Sequence, residues 1–150
     1  MKIIDLKTIK KETNFTINKN VNYKFYPPVL KNISLKNECL FEFQNSNISS
    51  KIIYKCIAQN NTELDLTIRL FTKRKNIQNL NVDLEIYVLN LDEKNTIKVR
   101  PYLEISQKEI KFEHKVTIGA PNKKWIQYLN SKGLSYKEAL NLITTSFITG

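Results

Sequence analysis

The sequence is poor in the residues on which many small proteins depend for special chemistry. Two cysteines, Cys39 and Cys56, occur in 150 residues. They are too few for a disulfide framework and lack the C-x-x-C spacing of zinc or redox motifs. Three glycines leave no glycine-rich loop to cradle phosphate, and there is no P-loop, nucleophile elbow or H-E-x-x-H helix. Any ATP must therefore belong to a partner. His114 is the sole imidazole. Long apolar runs are missing as well: nothing approaches the roughly 18 residues that span a bilayer, and the start, MKIIDLKTIKKETNF, lacks the apolar centre of a signal peptide. The chain is expected to be cytoplasmic, without membrane contact.

Acidic residues are outnumbered, 14 Asp plus Glu against 24 Lys plus Arg, for a formal charge of +10. Such a charge favours acidic partners, nucleic acid among them. The lysines are scattered among Asn and Ile rather than gathered in a stripe, and the densest cluster, Lys73-Arg74-Lys75, falls in a turn. The charge is read as a solubilising surface, which leaves a basic nucleic-acid-binding β protein as the alternative reading. Hydrophobic residues make up 41% of the chain, enough for a single core without covalent staples.

Through the first two-thirds, apolar residues recur at alternate positions, the period of a half-buried strand. The plainest runs are Leu64, Leu66, Ile68 and Leu70, then Leu80, Val82, Leu84, Ile86 and Val88. Further strands are expected at 3–6, 15–17, 23–26, 40–43, 52–58, 96–100, 102–105 and 110–117, with Pro27-Pro28 as a break. The fold class is mainly β over 1–118, and periodicity alone does not separate a short parallel β-helix from a sandwich-like domain. A solenoid coil of roughly 20–25 residues would allow about four or five coils.

After Gly119-Ala120-Pro121 the period becomes helical, with Trp125, Ile126 and Leu129, then Ala139, Leu140, Ile143 and Phe147. Residues 119–150 therefore form a C-terminal helical hairpin. Asn122 is the expected first N-cap, Gly133 suits a left-handed C-terminal position, and Ser135 with Glu138 reads as a capping box that satisfies two amides reciprocally.

The stretch from Arg100 to Phe147 resembles the end of the core domain of the SufB/SufD iron–sulphur cluster assembly proteins. The resemblance is carried by Pro101-Tyr102-Leu103-Glu104, Glu113-His114-Lys115-Val116-Thr117, Tyr128-Leu129-Asn130-Ser131-Lys132-Gly133-Leu134, then Glu138-Ala139 and Phe147. It implies a right-handed parallel β-helix followed by helices that dock a SufC-type ABC ATPase. It further implies a SufB/SufD-like partner, or a second copy of the chain, that meets this one near the histidine strand. Proteins of this kind hold a nascent cluster rather than catalyse a reaction. No cofactor is then expected on the isolated chain, and an iron–sulphur cluster is expected only transiently, in a complex.

Two positions depart from SufB and approach SufD. Ile105 stands where SufB carries the cysteine implicated in receiving sulphur, and Lys115 stands where SufB tends to have a glutamate. A structural remnant without cluster activity is a further alternative. His114 is the candidate cluster or metal ligand, with Glu113 on the opposite face of its strand. Trp125, Ile126, Leu129, Leu140, Ile143 and Phe147 are the candidate partner-binding residues. Cys56 is read as a small core residue, and Cys39, beside Glu38, as an exposed thiol.

Overall fold

The computed structural model describes residues 1–5, 11–27, 29–105 and 109–150. Leu6 and Pro28 lie outside the described residues. The strands are β1 (Lys2–Asp5), β2 (Glu12–Ile17), β3 (Tyr23–Tyr26), β4 (Leu30–Lys31), β5 (Ser34–Phe43), β6 (Ile48–Gln59), β7 (Glu63–Phe71), β8 (Leu80–Asn90), β9 (Thr96–Glu104) and β10 (Ile110–Gly119). Two helices follow, α1 (Lys123–Ser131) and α2 (Tyr136–Thr149).

Apart from short β4, which pairs with β6, the chain shuttles between two sheets. Sheet A has the order β1-β3-β6-β8-β10 and sheet B the order β2-β5-β7-β9. Every pairing is parallel, which removes an antiparallel sandwich and makes the domain a parallel solenoid. Along one column of sheet A, Lys2 pairs with Tyr23, Tyr23 with Ile52, Ile52 with Leu84 and Leu84 with His114. After a first step of 21 residues, three turns therefore take 29, 32 and 30 residues. The expected coil of 20–25 residues was too short, because β6 and β8 run to 12 and 11 residues, so the solenoid makes about three turns rather than four or five.

Parallel register stacks like upon like, and this is where alternation becomes a core. Phe25 sits on Tyr54 and Tyr54 on Ile86; opposite them, Cys39 sits on Ile68 and Phe41 on Leu70, all buried. The rings of Phe15, Phe25 and Phe41 meet at centroid distances of 4.4 to 5.3 Å. With both sheets facing this column, each buried Leu or Ile contributes about 1.5–3 kcal/mol.

The corners account for the scarcity of glycine. Asn47, Asn79 and Glu109 precede β6, β8 and β10 with φ of 59°, 56° and 63°, and the Asn79 side-chain amide donates to the Asn47 side-chain oxygen at 2.9 Å. A second corner places Asn32 and Asn60 at φ 50° and 48°, joined by an amide-to-carbonyl bond of 3.0 Å. Asparagine enters the left-handed region more readily than other residues with a Cβ, so it performs the turns here.

Two strand expectations change. Residues 96–100 and 102–105 form one strand, β9, running through Pro101 to Glu104. β9 is the edge of sheet B, where a residue without an N–H is tolerated. The hairpin starts as expected, with the Asn122 side chain accepting from the Lys124 amide at 2.9 Å and Gly133 at φ 94°. Its capping box is only half made. The Ser135 hydroxyl accepts from the Glu138 amide at 3.2 Å, but the Glu138 carboxylate accepts from that hydroxyl at 3.1 Å rather than from a backbone amide.

Candidate functional site: the uncapped last coil and the hairpin

Inward-facing positions of β8 are covered because β10 lies above them. Those of β10 have no further strand beside them, since β10 ends sheet A among the described residues. Ile110, Phe112, His114, Val116 and Ile118 stand in register with Leu80, Val82, Leu84, Ile86 and Val88, all buried. By the two-residue period of a strand they share that inward face. Ile110 and Phe112 still pack against the core, while His114 is exposed and Val116 and Ile118 are 36% and 45% exposed. Val99 and Leu103 on β9 are half-buried above Leu66 and Leu70. The result is a hydrophobic cross-section left open at one end of the solenoid.

His114 lies in this open face, its ring stacked on Phe112 at a centroid distance of 5.6 Å and an interplanar angle of 28°. Glu113 pairs with half-buried Asp83 on the outward face, as alternation requires. Ile105, one residue beyond β9, packs against the core at the same end. Among the described residues, no three His, Cys, Asp or Glu side chains converge where a metal ion could sit.

Neither cysteine reaches this surface. Cys56 is buried, as read from its alternation with Tyr54 and Ala58, but Cys39 is also buried, at 1% exposure, which corrects the exposed reading. β5 begins at Ser34, earlier than expected, and inward-facing Asn37 occupies its interior, where its side-chain oxygen accepts from the Cys39 thiol at 3.2 Å. A polar residue on the core face hid the start of the strand. Burial pushes both thiols up to about 12, with a bond to Tyr54 opposing the shift at Cys39. Thiol reagents at pH 8 are expected to modify the folded chain at least ~100-fold more slowly than the chain in denaturant. Reaction of either thiol at the unfolded rate would contradict the buried assignment.

The hairpin divides the predicted partner-binding set. Ile126, Leu129, Leu140, Ile143 and Phe147 are half-buried, whereas Trp125 is 60% exposed. α1 has no buried residue, and α2 buries only Ala139. Tyr128, Tyr136 and Leu142, which the helical stripe did not single out, are exposed too. Tyr128 lies three residues after Trp125, the spacing that puts two side chains on one helix face, and the rings meet edge-on at 6.3 Å. A groove of about 420 Å³ beside this face is lined by Leu91, Asp92, Pro121, Ile126 and Tyr136.

Residues 30–147 match the family model for the SufBD core domain, described as SUF system FeS cluster assembly. The chain belongs to the SufBD core-domain family. It is 29% identical over 102 residues to an iron-sulfur cluster assembly SufBD family protein of Staphylococcus aureus (strain USA300). It has the same identity over the same length to the iron-sulfur cluster assembly protein SufB of Bacillus subtilis (strain 168). Each match covers 68% of this chain and 22% of the relative, so the SufBD chain described here corresponds to about a fifth of those proteins. Among the described residues, no helix is long and apolar enough to cross a membrane.

Proposed function

We propose that this SufBD chain is a non-catalytic scaffold subunit in iron–sulphur cluster assembly. It pairs through its open last coil with a SufB/SufD-type subunit, or with a second copy of itself, and its hairpin docks a SufC-type ATPase. The observation that carries this reading is the uncapped face of β10, where an apolar strip surrounds one exposed imidazole. Uncovered strand edges and apolar patches are what a second chain buries. Family membership supports the assignment to cluster assembly.

The cluster is cargo here, and a cluster is commonly held by four ligands. His114 is this chain's contribution, since Cys39 and Cys56 are enclosed in the core. A neutral imidazole at a junction binds iron through one ring nitrogen, and the second subunit supplies the remaining ligands. The purified chain is to be reconstituted anaerobically with iron and sulphide, alone and with a SufB-type partner, in native and His114→Ala forms. The expected result is little iron on the isolated chain and a loss of bound iron in the mutant mixture, with pairing retained. Equal iron in both mixtures would make His114 a structural residue.

A further inference from the structure

α2 reaches its end over the outward face of sheet A, and little apolar burial holds it there. The last carbonyls of a helix have no partner within it and form the negative end of its dipole. α2 has no basic residue in its own last turn. The cations come from the sheet. Lys55 Nζ on β6 donates to the Phe147 carbonyl at 2.7 Å, and Lys24 Nζ on β3 donates to the Gly150 carbonyl at 3.3 Å. The Lys55 ammonium also lies 5.3 Å from the centre of the Phe147 ring.

Both cations are partly withdrawn from water by this arrangement. Lys24 is only 9% exposed, and the two lysines share a groove of about 220 Å³ with Ile53, Tyr87, Phe147 and Gly150. Burial and the neighbouring Lys24 ammonium push the Lys55 pKa down, with Glu85 opposing. Glu85 is engaged elsewhere: Lys51 lies 2.7 Å from its carboxylate and Tyr87 donates to it at 2.8 Å. Lys115, from β10, sits over the Tyr87 ring at 5.8 Å and adds a further positive charge beside the groove. Two like charges are thus held close together under a helix end, and release of the helix returns both to solvent.

We propose that Lys24 and Lys55 form a releasable clamp on the C-terminal end of α2, giving the hairpin a docked and a released state. In the docked state the sheet shares the apolar side of Phe147; in the released state that side is free for another molecule. The clamp stands independently of which protein docks on the hairpin. Hydrogen exchange on the full chain tests it. In Lys24→Met/Lys55→Met, amides of residues 143–149 are expected to exchange about 10-fold faster, with β5–β8 unchanged, while Lys24→Arg/Lys55→Arg keeps the native rates. Native exchange over 143–149 in the Met variant overturns the clamp. So does acceleration spread evenly over β5–β8 and α2, which marks lost global stability. Where the double substitution prevents folding, Lys55→Gln is read the same way: faster exchange confined to α2 supports the clamp and an unchanged rate overturns it.

Discussion

Removal of residues 122–150 is expected to abolish capture of a SufC-type ATPase while leaving the solenoid folded. The second half of this expectation follows from burial. Because α1 buries nothing and α2 only Ala139, the core between sheets A and B loses almost none of its contacts. The first half follows from where the exposed aromatic surface lies, with Trp125, Tyr128 and Tyr136 all on the removed segment. Exposed Trp and Tyr side chains are the residues most often responsible for binding energy at protein interfaces. In the full-length chain, Trp125→Ala should weaken binding by about 2 kcal/mol, roughly 30-fold. Pull-down of the ATPase by the truncated chain at the native level would sink the docking assignment. Circular dichroism of that chain would establish independently that the β domain persists.

Phe41→Ala is expected to cost about 3–5 kcal/mol of stability, a large part of the roughly 5–15 kcal/mol available to a domain. Phe41 is fully buried on β5, stacked on Phe15 at 4.9 Å and edge-on to Phe25 at 5.3 Å. Its register partner Leu70 is buried as well. Strands on both sides are tied by backbone ladders and cannot collapse into the void, so the cavity term persists. Urea unfolding should show a midpoint lower by about 2 M with little change in slope. A loss below about 1 kcal/mol would mean that the aromatic cluster repacks freely.

What was legible in the sequence was whatever depends on neighbours in the chain. Leu64 to Leu70 and Leu80 to Val88 alternate because strand side chains alternate, and they form β7 and β8. Asn122, Gly133 and Ser135 marked the helix ends because capping is settled within four residues. The partner of each strand was not legible from periodicity, since it lies about 30 residues away with no strict repeat to betray it, and the resemblance over 100–147 decided for a solenoid. Pro101 split β9 on paper because propensity ignores that an edge strand has one unpaired side. Asn37 on the core face disguised the start of β5 and so misplaced Cys39. For the site, the helical period picked out an apolar stripe but not which members face the other helix, so Trp125 was grouped with Ile126 and Leu129 while exposed Tyr128 went unnoticed.

The length of the coils has a consequence for how the chain reaches its native state. A pairing such as Tyr23 with Ile52 or Ile52 with Leu84 forms only after a loop of nearly thirty residues has closed, and the closure entropy is spent before any ladder bond compensates for it. Sequence separations of this size, in a chain of this length, belong to the slow class of small domains, which fold in milliseconds to seconds. Once two coils have met, each further coil adds to an existing edge, so growth proceeds by nearest-neighbour stacking. The solenoid is slow to begin and quick to extend, and its last coil is the one whose edge remains open when folding is complete.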